Sequence, residues 1–219
     1  MSSQKKYLIF SIVIASLTVL FVFFYTKRST LPKQESTKIT TQKEKTKKTI
    51  GLTMFRGNSS RTFYGSGPLP TDPTVLWQYP KTNPLCAPSS VGGKSKIWCG
   101  NGWTGQPVVW ERPDGVTEVI FGAYDRKIHF VNAKTGENTR PSFATGDIIK
   151  GSVTLDPDGF PLLYSGSRDN FYRIIALDRA VPTELWRIEA KLSDGLWNND
   201  WDGNGLIEKI NCVFSRASK

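Results

Sequence analysis

The feature that most constrains the fold is an internal repeat of 44 residues in the second half of the chain. The dipeptide Asp-Gly recurs at this interval, beginning at Asp114, Asp158 and Asp202. The same 44-residue offset relates three further pairs: Pro113 and Pro157, Gly122 and Gly166, and Asp125 and Asp169. A period of this length is typical of folds in which one supersecondary unit is stacked or arranged around an axis.

Each copy of the repeat reads as short β-strands separated by turns. The first copy predicts strands at Val108–Glu111, 119–121 and Lys127–Asn132, and the second at 153–155, 162–164 and 171–177, with a fourth at 184–188. In each copy, Asp-Gly follows the first strand and supplies the positive φ that a tight hairpin turn needs. A four-stranded antiparallel meander recurring about every 40 to 50 residues predicts the blades of a β-propeller.

Several short motifs lie at corresponding places in the copies. They are Gly166-Ser167-Arg168-Asp169, Ala176-Leu177-Asp178, Leu185-Trp186 and, one copy earlier, Asn132-Ala133-Lys134-Thr135-Gly136. Upstream lie Phe55-Arg56-Gly57-Asn58, Arg61-Thr62, Tyr64-Gly65 and Leu76-Trp77. Together they resemble the pyrroloquinoline-quinone-like (quinoprotein-like) β-propeller repeats over residues 54–203. The resemblance implies an all-β propeller, and its motifs are structural rather than catalytic.

The chain departs from a regular propeller in two places. If Phe143 is the counterpart of Trp186, the 66 residues between Trp77 and Phe143 contain an insertion of 22 residues beyond the period, and this insertion includes Cys86 and Cys99. The third copy begins on schedule at Asp202, but Ile210 and Val213 stand where Gly and Asp are expected. Residues 204–219 therefore read as an aberrant or truncated third repeat. The sequence predicts an incomplete propeller, either a fragment completed by a partner or the nonfunctional product of a truncated gene.

Three segments precede the repeats. Residues 1–6 are a short flank, and residues 7–25 are 19 residues without a charge. As a helix this stretch would extend about 28 Å, so it predicts one transmembrane anchor. The alternative is a signal peptide cleaved after Val13-Ile14-Ala15, which would leave an apolar N-terminus from Ser16. Residues 26–50 are rich in Lys and Thr, have no apolar face, and predict a disordered tether.

The net charge of +10 does not indicate nucleic-acid binding once it is divided by segment. Residues 1–50 hold 10 Lys and Arg against 2 Asp and Glu, so 19 basic and 17 acidic residues remain, a net of +2, for the rest of the chain. The basic tether either spaces the body from the membrane or is attracted to anionic headgroups. Basic residues flank both ends of the apolar stretch, so the charges do not fix its orientation.

Two sets of residues are candidates for a structural or metal site. Cys86 and Cys99 are predicted to form a disulfide closing the inserted loop in an oxidising compartment, the alternative being two buried thiols in a cytoplasm-facing domain. The segment from Asp200 to Ile207 matches the first eight positions of a calcium loop, with Asp200, Asp202 and Asn204 as ligands. Asn211 stands where such a loop has its bidentate Glu, and a plain hairpin turn at Asp202 also explains the segment.

The resemblance sets two functions against each other. Quinoprotein dehydrogenases are expected to use a Trp floor under pyrroloquinoline quinone, a carboxylate base, bound calcium and often a disulfide of adjacent cysteines. Adjacent cysteines do not occur here, and His129 is the only histidine, so a Ser-His-Asp triad depends on it alone. The preferred prediction is a non-enzymatic binding or scaffold protein, with a quinone-dependent dehydrogenase fragment as the alternative.

The predicted setting follows from the anchor and the family. Members of the family are mostly exported, which implies a single-pass protein of the cytoplasmic (inner) membrane with its body outside the cytoplasm. The bilayer would be contacted through residues 7–25, and the body would bind a protein or small ligand.

Overall fold

The computed structural model describes residues 49–63, 65, 67–91, 93–102, 105–190, 201–208 and 211–213. Regular structure in these residues is all β, without an α-helix. The strands are β1 (Gly51–Leu52), β2 (Cys86–Val91), β3 (Lys94–Cys99), β4 (Val108–Glu111), β5 (Thr117–Gly122), β6 (Lys127–Asn132), β7 (Phe143–Ala144), β8 (Thr154–Leu155), β9 (Leu162–Gly166), β10 (Phe171–Ala176), β11 (Thr183–Glu189), β12 (Leu206–Glu208) and β13 (Asn211–Val213). The predicted all-β class is confirmed.

The strands form two antiparallel sheets and two separate hairpins. Sheet 1 has the order β1-β4-β5-β6-β7, and sheet 2 has the order β11-β10-β9-β8; the hairpins are β2-β3 and β12-β13. Sheet 1 has five strands rather than four because Gly51 and Leu52 pair with the free edge of β4. Glycine is required at position 51, since a Cβ there would lie 2.0 Å from the carbonyl oxygen of Val109.

The two sheets repeat each other strand by strand. Gly115 and Gly159 both have positive φ, 82° and 93°, in the turns after β4 and β8, where the sequence predicts it. In the next turns, Arg126 and Asn170 are also left-handed, with φ of 65° and 75°. The matching of Phe143 to Trp186 is wrong. Phe143 pairs with Ile128, whose counterpart Tyr172 pairs with Ile188, because a bulge at Ile174 shifts the register of β11.

Side chains alternate between two faces in each sheet, which we call the leading and trailing faces. The leading face carries Ile120, Ile128 and Phe130 in sheet 1, and Tyr164, Tyr172 and Ile174 in sheet 2. The trailing face carries Val119, Phe121 and Val131 in sheet 1, and Leu163, Ser165 and Ile175 in sheet 2. Each of these residues of sheet 2 lies 44 positions after its counterpart in sheet 1.

The main core lies between the leading face of sheet 1 and the trailing face of sheet 2. Ile120, Ile128 and Phe130 of the first pack with Leu163 and Ile175 of the second, and all five side chains are fully buried. A second cluster continues in the same direction, because Tyr164 and Tyr172 on the leading face of sheet 2 pack with Trp201 and with Ile207 in β12. In both sheets, therefore, the leading face packs against the element that follows in the chain.

The segment from Thr49 to Thr53 lies between the two sheets. On one side the amide of Glu111 donates to Ile50 O at 3.0 Å, and on the other the amide of Leu155 donates to Thr53 O at 2.7 Å. The hydroxyl of Thr49 also donates to Asp156 O at 2.8 Å. The end of the predicted tether thus enters the body in a segment that is hydrogen-bonded to both sheets.

The predicted transmembrane anchor, residues 7–25, lies outside the described residues, as do most of the tether and the segment 191–200. Among the residues that the structure describes, none belongs to a helix long and apolar enough to cross a membrane.

Candidate functional site

The turns β5-β6 and β9-β10 lie at one end of the sheets, which we call the capped end. Each turn is bonded to the chain segment that enters and leaves its sheet. The amide of Tyr124 donates to Gly100 O at 2.9 Å. The amide of Arg168, 44 residues later, donates to Ile148 O at 3.1 Å. Likewise Ile149 N–H donates to Ala123 O, and Trp201 N–H donates to Ser167 O. The turn residues in these bonds are 44 positions apart, while the segments that they contact follow a longer spacing.

Three successive inner segments, one before β4, one before β8 and one before β12, lie side by side. The amide of Gln106 donates to the hydroxyl of Ser152 at 2.7 Å, and the amide of Ser152 donates to Asn204 Oδ1 at 2.7 Å. Residues upstream meet both ends of this series: Arg56 N–H donates to Gln106 Oε1 at 3.1 Å, and the Arg61 guanidinium donates to Asn204 O at 3.2 Å. Polar groups thus join these three segments to one another and to residues upstream.

The predicted calcium ligands have other partners in this arrangement. The carboxylate of Asp202 accepts from Lys150 Nζ at 3.1 Å, and Asn204 Oδ1 accepts the amide of Ser152. Asp200 lies outside the described residues. Within the described part of the chain, no three His, Cys, Asp or Glu side chains are grouped as metal ligands. The calcium site stays a prediction, and the geometry found uses Asp202 and Asn204 to join inner segments.

In each sheet, an aspartate pairs with a side chain four residues later that carries ring or guanidinium nitrogens. His129 Nε2 lies 3.0 Å from Asp125 Oδ1, and the Arg173 guanidinium pairs with Asp169 at the positions 44 residues later. Burial by itself raises the pKa of Asp169, but hydrogen bonds from Arg173, Ser167 and the Gly146 amide outweigh burial and hold the pKa below its usual value. The pair belongs to the repeat and links the turn to its strand.

His129 pairs with an aspartate and lies beside a serine, the neighbours that a catalytic triad would need. Its Nδ1 lies 2.9 Å from the Tyr79 hydroxyl and 3.2 Å from the Ser142 hydroxyl. Burial, the largest influence, and the nearby Asp125 raise the pKa of Tyr79. Because the Asp125 carboxylate can only accept, Nε2–H of His129 donates to it. Arg173 fills the equivalent position in sheet 2, so the aspartate of the turn has a side-chain partner four residues later in both sheets.

The hairpin β2-β3 covers the capped end, and a disulfide joins Cys86 to Cys99 at its base. The guanidinium of Arg126, in the first turn, donates to Pro88 O, and that of Arg168, in the second, donates to Ser90 O at 3.1 Å. The Trp98 and Tyr124 rings meet edge to face with their centroids 5.8 Å apart. The ammonium groups of Lys96 and Lys150 also lie over the Trp98 ring. One arginine from each sheet therefore holds the hairpin.

A shallow cleft of about 480 Å³ opens beside this hairpin. Its lining residues are all uncharged: Gln78, Tyr79, Pro80, Thr82, Pro84, Leu85, Cys99, Gly100 and Asn101. Its volume is in the range of small-molecule sites, about 300 to 1,000 Å³. The cleft offers amide and hydroxyl groups and no charge, so it suits a neutral polar group better than an ion.

No protein-family model matches the chain, and no curated protein sequence matches it either. Trp98 carries an ammonium group 4.0 Å from its ring centroid, and Asp202 is paired with a lysine.

The sequence names the cysteines and the turn aspartates of this region but misses what holds the hairpin. Arg126 and Arg168 act over separations of 38 and 78 residues, which no local motif encodes. One signal was available: Arg126 occupies a turn position where its counterpart is Asn170, a residue that tolerates positive φ far better. An arginine there indicates that its side chain is needed.

Proposed function

We propose that the chain is a non-enzymatic binding or scaffold module of the propeller type, anchored by residues 7–25 with its body outside the cytoplasm. The observation that carries the proposal is the one-way packing of the repeat. The leading face of sheet 1 packs on the trailing face of sheet 2, and the leading face of sheet 2 packs on β12. Equivalent faces used in one direction are what a radial array of blades requires.

Two further features support this reading. The Cys86 to Cys99 disulfide suits an oxidising compartment outside the cytoplasm. The polar groups of the body serve structural contacts: Glu118 is fully buried and accepts from Trp110, Arg112 and Arg140. The capped end, with its hairpin and neutral cleft, is the surface that we assign to binding.

The location of the body relative to the membrane is tested at an exposed position of the β2-β3 hairpin. Ser95→Cys, in a chain that also carries Cys212→Ser, places one thiol on the outer side of β3. A membrane-impermeant maleimide added to intact cells should label this thiol. Labelling seen only after the cells are broken would place the body in the cytoplasm and contradict the proposal.

The alternative function is a fragment of a quinone-dependent dehydrogenase. Purified full-length protein supplied with pyrroloquinoline quinone and calcium should show no dye-linked oxidation of alcohols or sugars. Turnover that depends on the quinone would overturn the non-enzymatic assignment.

A further inference from the structure

The β2-β3 hairpin turns one of its two faces toward the capped end of the sheets. Ala87 lies opposite Trp98, and Ser89 lies opposite Lys96. Residues that are opposite each other, or two apart in one strand, have side chains on the same side, so these four share one face. The Trp98 ring packs on Tyr124 in the first turn, and Ser89 is only 4% exposed. We call this face, which meets the body, the inner face of the hairpin.

Hydrogen-bond donors at the inner face are buried without an acceptor. Ser89 Oγ, Trp98 Nε1 and Arg126 Nε have no hydrogen-bond partner in the part of the chain that the structure describes. The other end of the Arg126 guanidinium is used, since it donates to Pro88 O, the carbonyl next to Ser89. Indole and guanidinium N–H groups can only donate, and a buried donor without an acceptor is unfavourable. These groups together therefore select an acceptor from outside the chain.

The charge around these donors determines which kind of acceptor they favour. Lys96 Nζ and Lys150 Nζ lie 4.0 Å and 5.3 Å from the centroid of the Trp98 ring. Lys150 is balanced by the carboxylate of Asp202 at 3.1 Å. Lys96 and Arg126 have no carboxylate partner among the described residues, so their positive charge is not balanced nearby. An anionic acceptor is therefore favoured over a neutral one, since hydrogen bonds to a charged acceptor are about twice as strong.

We propose that the inner face of the hairpin binds an oxyanion, a carboxylate, phosphate or sulfate group, which accepts from Ser89, Trp98 and Arg126. Ser89 and Trp98 are diagonal neighbours across the two strands, which places them about 7 to 8 Å apart, so one ligand with several oxygens can reach both. Lys96 is exposed, whereas Trp98 and Arg126 are half-buried, so the site opens to solvent on the side of Lys96.

The oxyanion site differs from the uncharged cleft described above. Cys99, which lines the cleft, lies one residue after Trp98, so its side chain points to the opposite face of the hairpin. The two sites would therefore take different groups, a neutral polar group in the cleft and an anion at the inner face. The inference rests on the binding function proposed for the capped end and names the ligand chemistry of one part of it.

Nuclear magnetic resonance of the indole N–H groups of the full-length protein reports on this site directly. The Trp98 signal is the one that disappears in Trp98→Phe, which keeps an aromatic ring but removes the donor. Sodium sulfate, sodium phosphate and sodium acetate are each titrated in place of sodium chloride at constant ionic strength. We expect the Trp98 signal to move to a plateau with at least one of these oxyanions. A plateau with acetate alone would identify a carboxylate ligand, and one with sulfate and phosphate a tetrahedral oxyanion.

Variants of the unmodified chain test which residues form the site. Ser89→Ala and Lys96→Gln should each raise the dissociation constant of the oxyanion about tenfold, because one removes a donor and the other a charge. The matched controls are Ser95→Ala, on the exposed side of the hairpin, and Lys134→Gln, an exposed lysine in the turn after β6, and both should change it by less than about twofold. Unchanged positions of the other indole signals show that each variant keeps the fold.

Two results would overturn the proposal. One is a Trp98 signal that reaches no plateau with any oxyanion, which would mean that the buried donors are satisfied by water alone. The other is an affinity that neither Ser89→Ala nor Lys96→Gln changes. Either result would leave the membrane location and the non-enzymatic assignment standing, since those are tested by thiol labelling and by turnover.

Discussion

At the scale of single residues, the repeat explains side chains that would otherwise look catalytic. Asp125 and Asp169 each pair with a side chain four residues later, a histidine in one sheet and an arginine in the other. A lone buried His-Asp pair beside a serine and a tyrosine would suggest a nucleophile. Its counterpart in sheet 2 is an arginine, which cannot act as a base and pairs with Asp169 in the same way.

The Asp169 to Arg173 pair predicts a pH dependence of stability. The pKa of Asp169 is lowered in the folded state, so its ionised form contributes stability above about pH 4 and loses it as the pH falls through the folded pKa. Asp169→Asn should lower the free energy of unfolding by about 3 kcal/mol at neutral pH, and less in acid. Urea titrations at neutral and acidic pH measure the difference. The exposed Asp178→Asn should change little at either pH, and an equal loss for Asp169→Asn at both would contradict the account.

The cysteines give a second prediction at this scale. Unreduced protein, denatured and titrated for thiols, should show one free thiol of its three cysteines. Cys99→Ser should lower the free energy of unfolding by about 3 kcal/mol, because the bridge closes a short loop of the unfolded chain. Reduction should lower the unmodified protein to the same level. Three free thiols would count against both the bridge and the outward location.

At the scale of elements, sequence reasoning located the strands of the repeat well and those outside it poorly. β4 and β6 have the bounds that the pattern predicts, since alternating apolar residues between turn signals fix both ends. The hairpin β2-β3 was missed because its outer face is exposed and its Ser and Lys residues carry no strand signal. β1 is two residues long and is defined by the strand it joins. Arg126 and Arg168 contact this hairpin over long sequence separations, so only the unusual turn residue Arg126 gave any signal of the contacts.

Arg126 links the hairpin to sheet 1 at some cost to its own turn. Arg126→Asn should relieve left-handed strain, which is of order 1 kcal/mol, while removing the donor to Pro88 O. We therefore expect nearly unchanged global stability but faster hydrogen exchange in β2 and β3. The matched control is Asn170→Gly, which keeps the hairpin contacts. Unchanged exchange in β2 and β3 would show that Arg126 does not hold the hairpin.

At the scale of the whole molecule, the leading face of each sheet packs against the element that follows it in the chain. The segment that leads to the predicted anchor is hydrogen-bonded to both sheets. Thr49 to Thr53 contacts both β4 and the strand region around Leu155. The predicted anchor itself remains a prediction, tested by whether the full-length protein stays with membranes after a carbonate wash. Release with an N-terminus at Ser16 would instead identify a signal peptide.

The central claim is that one packing direction is used twice, from sheet 1 to sheet 2 and from sheet 2 to the next layer. Nuclear Overhauser contacts at the two equivalent glycines test it most directly. A Cβ built on Gly122 would lie 2.2 Å from Ile149 Cγ2, and one built on Gly166 would lie 2.3 Å from Trp201 Cβ, so both glycines closely contact the segment that follows their sheet. We predict strong contacts from the Gly122 Hα protons to the Ile149 methyl and from the Gly166 Hα protons to the Trp201 side chain. The first contact without the second would show that the packing does not continue beyond sheet 2, and would contradict the propeller-type account.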